Sequence, residues 1–173
     1  IDVAGRQVND SGIILKHLMP LLGFDFDQVW EDRIVFELDT TFKLHCSSKD
    51  WALLAVATVG APAFMKWLIG PILKRMERKQ AHHNINTAGL GHREGDEVAI
   101  ARQFKTSMAG EFHHGDTPGH VDLSFYGFLA GYLYASCPIS ANMISKAGLE
   151  VWVAKMNTII PLDTLFVNAT KTR

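Results

Sequence analysis

Residues 122–134 read DLSFYGFLAGYLY, and Asp122 carries the only charge among them. A helix built from this stretch has apolar or aromatic side chains on every side. Such a helix has no polar face to turn towards water, so it has to lie in the centre of a bundle. Cys137 and Pro138 follow shortly afterwards and end it, because proline cannot continue a helix.

The turn before this helix contains a capping signal. Residues 112–119 read FHHGDTPG, and Asp122 stands three positions after Gly119. At that spacing a carboxylate can accept a hydrogen bond from the backbone N–H at the start of the helix. Glycine is only a few tenths of a kcal/mol poorer at this position than the preferred polar residues. We therefore predict that Gly119 and Asp122 form a structural cap and not part of a catalytic site.

Apolar residues recur at helical spacing in several other stretches. The sequence predicts helices within residues 13–22, 24–46 and 96–108, with a strand as the competing interpretation of residues 34–38. A last long helix is predicted to be capped by Ser140 and to extend past Met156. Residues 81–95 and 110–119 read as loops, and residues 1–8 as an extended hairpin. The sum is a mostly α bundle of about five or six helices after a short extended start.

Composition limits the class of protein. The 173 residues are 47% hydrophobic and 20% charged, which is enough for one domain, or one domain plus a fragment, with a true core. The formal net charge of -1 leaves no overall field that would attract nucleic acid. We predict no nucleic-acid partner.

One apolar segment is unusual. Residues 51–65 carry no charge, Lys66 interrupts, residues 67–73 are again apolar, and residues 74–79 read KRMERK. The whole segment is long enough to cross a bilayer, but glycines and prolines at 60, 62, 70 and 71 break it into shorter pieces. Buried core helices, a helix on a membrane surface and a true span all remain open.

If this segment meets a membrane or a partner, its aromatic residues and its basic end are the groups suited to the contact. We predict these contact residues to be Trp51, Phe64, Trp67, Lys74 and Arg75.

The two cysteines, Cys46 and Cys137, lie far apart and in no metal-binding or redox spacing. We predict reduced core thiols. The eight histidines include two adjacent pairs, His82-His83 and His113-His114, together with His92 and His120. We predict that they are solvent-exposed loop residues and bind no metal, with a metal site as the alternative.

Two motifs resemble the glutathione S-transferase superfamily. Residues 7–14, QVNDSGII, resemble the end of its thioredoxin-like domain, where an acidic residue and a serine open a helix. Residues 112–127, FHHGDTPGHVDLSFYG, resemble the start of the buried helix of its C-terminal domain. The membrane-associated prostaglandin E synthase type 2 branch resembles the chain best, on residues 64–69 and 73–75 and on Trp152.

The resemblance implies a domain division. Residues 1–22 would be a hairpin-and-helix remnant of a thioredoxin-like domain, and residues 23–173 would be the glutathione-transferase C-terminal-like helical domain. It also implies that Asp10 and Ser11 hold the γ-glutamyl end of glutathione. The reactive thiol or hydroxyl of the family would lie upstream of Ile1, so no residue here is expected to be catalytic. Glutathione is expected as a cofactor only if that upstream segment is present.

Two hypotheses about function follow from the resemblance. The first is a non-catalytic accessory subunit of a larger membrane-associated complex in a mitochondrion or plastid, with protein partners and a contact to a membrane surface. The second is a glutathione-dependent isomerase or transferase whose catalytic segment lies outside this chain. The cytoplasm is the alternative predicted location.

Overall fold

The structure is a computed structural model that describes residues 2–3 and 6–7, Gly23, residues 26–88 and residues 96–164. It is mostly helical, as predicted. Strands β1 (Asp2–Val3) and β2 (Arg6–Gln7) pair antiparallel, with Asp2 opposite Gln7. The helices are α1 (Gln28–Asp32), a π-helical segment (Arg33–Leu38), α2 (Asp39–His45), α3 (Ser48–Thr58), a 3-10 turn (Ala63–Met65), α4 (Lys66–Ala88), α5 (Asp96–Ser107), α6 (His120–Tyr134), α7 (Pro138–Ala147) and α8 (Glu150–Ile159).

The two strands contain two residues each. That is too little to identify a thioredoxin-like domain, so the domain division at residue 22 remains a prediction. The helix expected within residues 13–22 lies outside the described residues.

Helix α1, the π-helical segment and α2 form one continuous helical run. It begins at Asp27, whose carboxylate accepts a hydrogen bond from the Trp30 amide at 3.1 Å. Ile34, Leu38 and Phe42 follow at intervals of four and are all buried, which gives the run one core-facing side. The helical interpretation of residues 34–38 is therefore correct, and the strand alternative is wrong.

Helix α6 occupies the centre, as its composition predicts. Val121, Phe125 and Leu129 are fully buried along it. The Phe125 ring stacks on Phe104 of α5 with the ring centres 4.4 Å apart, and Trp152 of α8 meets Phe104 edge-on at 5.0 Å. Aromatic side chains from three helices thus form the middle of the core.

Helix α3 is fixed at its start by a capping box. The Ser47 hydroxyl accepts from the Asp50 amide at 3.2 Å, and the Asp50 carboxylate accepts from the Ser47 amide at 2.8 Å. The same carboxylate accepts from the Ile139 amide of α7 at 3.3 Å. Asp50 therefore joins the start of α3 to the start of α7.

Three predicted boundaries are wrong. Residues 81–88 continue α4 and do not form a loop. Helix α4 also runs through Gly70 and Pro71, although Pro71 lies inside the helix and cannot donate a backbone hydrogen bond. The predicted last helix is two helices, because Gly148 adopts a left-handed φ of 69° and ends α7.

Gly70 allows α4 to pack closely on α3. A methyl group at residue 70 would collide with the Ser48 carbonyl oxygen and lie 3.2 Å from the Ala52 methyl carbon. Both neighbours belong to a helix and cannot move aside cheaply. The closeness of α3 and α4 therefore requires glycine at this position.

We expect Gly70→Ala to lower the free energy of unfolding by about 1–3 kcal/mol, because the added carbon strains a packed interface. Gly127→Ala is the matched control. Gly127 is exposed in the middle of α6, and a methyl group there would meet nothing within 4 Å. The control should raise the free energy of unfolding by about 0.5–1 kcal/mol. Urea unfolding of the two variants measures both values, and equal stability of both would contradict the close packing of α3 and α4.

Candidate interaction surface on α4

Helix α4 presents large apolar side chains to solvent. Phe64, in the 3-10 turn before it, and Trp67 are each 77% exposed. Leu68, Ile72 and Met76 follow at intervals of four and are also exposed. Intervals of four place side chains in one row along a helix, so Leu68, Ile72 and Met76 form a ridge, and Phe64 and Trp67 precede it in the chain. We call these five residues the apolar surface of α4.

The opposite side of α4 explains why this surface cannot turn inwards. Gly70 and Ala81 are buried against the rest of the bundle, and Gly70 lies against Ser48. Lys43 of α2 pairs with Glu77 across the same interface, with 3.7 Å between Nζ and Oε2. The inner face of α4 is thus already occupied.

A basic groove of about 580 Å³ runs beside the apolar surface. Its walls are formed by one residue of α3 and six of α4, namely Ser48, Pro71, Lys74, Arg75, Arg78, Lys79 and His82. Lys66 adds a fifth Lys or Arg to α4, whereas Glu77 is its one acidic residue and is paired with Lys43. On a chain of formal net charge -1, this is a local concentration of positive charge.

Four of the five predicted contact residues lie at these features. Phe64 and Trp67 belong to the apolar surface, and Lys74 and Arg75 line the basic groove. Trp51 is different, because only 6% of it is exposed and it belongs to the hydrophobic core. It points inwards because Trp51, Ala52 and Ala55 form the buried face of α3. The prediction of Trp51 as a contact residue is wrong.

The sequence prediction missed Leu68, Ile72, Met76, Arg78, Lys79 and His82. The helical spacing of three and four that relates them to the predicted residues and to one another was the signal that could have found them. It was obscured because helix α4 was expected to break at Gly70.

Among the described helices, none combines the length and the apolarity that a bilayer crossing demands. The uncharged segment at residues 51–65 is divided between α3 and the chain that leads into α4.

Both thiols are buried in the core. Burial raises the pKa of the Cys137 thiol to about 12, with a further contribution from the Asp50 carboxylate. Burial and the same carboxylate raise the pKa of Cys46 even more strongly. A thiol reacts as its thiolate, so neither sulfur has the ionisation that a nucleophile needs at neutral pH.

The cap at the start of α6 has more partners than its spacing indicates. The fully buried Asp122 carboxylate accepts from the Gly119 amide at 3.0 Å and from the His113 amide at 3.1 Å. It also accepts from the Trp152 indole N–H at 2.9 Å. Three donors offset the cost of burying the charge. All of these contacts are internal to the fold.

The histidines differ from the prediction of exposed loop residues. His82 and His83 are exposed, but they lie in α4. His113 and His120 are buried, and only His114 of that group is exposed. His120 accepts from the Asp27 amide at 3.0 Å and stacks on Phe26, with ring centres 4.9 Å apart. Contacts with the chain before α1 bury it, and these cannot be read from the local sequence.

No cluster of three or more potential metal ligands occurs in the part of the chain that the structure describes. His92 and the predicted glutathione residues Asp10 and Ser11 lie outside the described residues.

Comparison of the chain with protein-family models, with curated proteins and with solved structures finds no match. The resemblance to glutathione S-transferases therefore remains a prediction carried by the two sequence motifs.

His113 makes stability depend on pH. Its ring packs against Trp30 and Phe104, and burial, reinforced by His114, lowers its pKa from the ordinary 6.5. The unfolded chain therefore binds a proton more readily than the folded one. The contribution of the neutral His113 ring to stability is fully present above its ordinary pKa and is lost as the pH falls below that value.

We expect the melting temperature to fall between about pH 7.5 and pH 5.5, and His113→Gln to show a smaller fall. His82→Gln, at an exposed histidine of α4, is the control and should follow the unmodified protein. Differential scanning fluorimetry across this range measures the effect. Parallel pH profiles for His113→Gln and the unmodified protein would contradict a role for His113.

Proposed function

We propose that the chain is a non-catalytic, glutathione-transferase-like accessory subunit of a larger assembly at an organellar membrane, in a mitochondrion or plastid. The observation that carries the proposal is the apolar surface of α4. Contiguous exposed apolar surface beside polar residues is typical of an interaction site. Five large exposed apolar side chains between residues 64 and 76, next to a basic groove, fit that description.

The chemistry of the thiols supports a non-catalytic role. Activation of glutathione requires a group that stabilises or generates a thiolate near the substrate. Cys46 and Cys137 are both fully buried, and their pKa values are raised. These sulfurs therefore serve packing. The buried carboxylates Asp50 and Asp122 are likewise satisfied by backbone and indole donors within the fold.

The packing of the neighbouring helices also supports the proposal. Gly70 fixes α4 against α3, and Asp50 fixes α3 against α7. A surface held on packed helices keeps its shape before it meets a partner, which lowers the entropic cost of binding.

The experiment replaces Phe64 and Trp67 together by Asp in cells that express the protein. Carboxylates at these exposed positions should leave the core intact but prevent apolar contact. We expect the unmodified protein to sediment with membranes and to migrate above its own mass of 19.2 kDa after mild solubilisation. The double variant should be released as a folded monomer.

Val151→Asp is the matched control, because Val151 is also exposed and apolar but lies on α8. It should behave like the unmodified protein. Monomeric behaviour of the unmodified protein, or glutathione-dependent turnover by the purified chain alone, would contradict the proposal.

A further inference from the structure

We infer that the apolar surface of α4 and the basic groove beside it bind the surface of an anionic lipid bilayer. The inference rests on the proposed function and identifies lipid as the binding partner of the apolar surface of α4. It concerns a helix lying at the membrane surface, with apolar side chains below the lipid headgroups and basic side chains among them.

The apolar surface of α4 has the shape expected of a segment that inserts into the outer part of a lipid bilayer. Phe64 and Trp67 are each 77% exposed, so their rings protrude instead of lining a cleft. Leu68, Ile72 and Met76 extend the ridge along α4. From Trp67 to Met76 the helix rises by roughly 14 Å, at about 1.5 Å per residue. Interfacial helices bury such a face roughly 5–10 Å deep, and tryptophan favours that depth.

The charges fit an anionic surface. Residues 51–76 contain no acidic side chain, and Glu77 lies towards α2, with its carboxylate 3.7 Å from the Lys43 amine that also pairs with Asp39. Lys74, Arg75, Arg78 and Lys79 line the groove along the same helix. Long basic side chains can extend sideways to phosphate groups while the helix they belong to lies lower. Apolar insertion and basic contact therefore take place together.

An acidic protein partner would use the same charges, but the apolar ridge favours lipid. A protein interface places its anchoring side chains in preformed, well-packed pockets. Here a row of flexible and aromatic side chains protrudes from a convex helix, and a deformable lipid surface can surround it without a complementary cavity. Recovery of binding only with an acidic protein is therefore an outcome against the inference.

The four tryptophans provide a direct test. Trp30, Trp51 and Trp152 are buried, and Trp67 alone is exposed. The purified full chain is mixed with vesicles of phosphatidylcholine alone or of phosphatidylcholine with phosphatidylserine, both carrying brominated acyl chains that quench indole fluorescence on contact. We expect quenching with the anionic vesicles, weak quenching with the neutral ones, and a loss of binding at high salt.

Three variants test which residues cause the fluorescence quenching and the vesicle binding. Trp67→Phe should still bind, as measured by vesicle flotation, but should lose the quenching. Arg75→Gln with Lys79→Gln should weaken binding roughly 30-fold, since each basic residue near an anionic surface contributes about a factor of five. Lys105→Gln with Lys146→Gln removes the same charge from exposed positions on α5 and α7, and should leave binding unchanged.

Absence of quenching with anionic vesicles, equal binding to both vesicle types, or quenching that persists in Trp67→Phe would overturn the inference. Failure of the lipid contact can be distinguished from failure of the proposed function. Retention in an assembly through Phe64 and Trp67 without vesicle binding overturns only the lipid contact. Vesicle binding by a protein that is never found in an assembly overturns only the accessory-subunit role.

Discussion

A single buried carboxylate organises the core. Asp122 is fully buried and accepts hydrogen bonds from the Gly119 amide, the His113 amide and the Trp152 indole. A buried charge is tolerated only when such donors surround it, so the start of α6, the loop before it and α8 are held in one arrangement. The stacking of Phe104 on Phe125 and the edge contact of Trp152 depend on that arrangement.

The position of the apolar surface of α4 depends indirectly on this core. Asp50 links the start of α3 to α7, and Gly70 brings α4 against α3. Because the inner face of α4 is filled, its apolar side chains have to remain outside. The molecule therefore combines two buried carboxylates, Asp50 and Asp122, that are hydrogen-bonded within the fold with large apolar side chains that remain exposed on α4.

Composition and spacing predicted the parts of the fold that depend on local sequence. The apolar stretch that forms α6, the helical spacing of apolar residues in α5 and the Gly119–Asp122 spacing could be recognised because each follows from local sequence. The burial of His113 and His120 and the inward turn of Trp51 were not, because neighbouring elements decide them. The extension of α4 past Ala81 was missed because a polar helix beside solvent has little hydrophobic periodicity. Of the candidate site, Phe64, Trp67, Lys74 and Arg75 were found from composition, and the remaining residues require knowledge that α4 is continuous.

We infer that the apolar surface of α4 lies in lipid within the native assembly. The most direct test is photo-crosslinking from a photoreactive amino acid at position 67, in intact membranes of cells that express the protein. We expect covalent adducts with phospholipid, and their absence when the same group is placed at the exposed Val151 position on α8. Adducts at position 67 with polypeptide alone would contradict it.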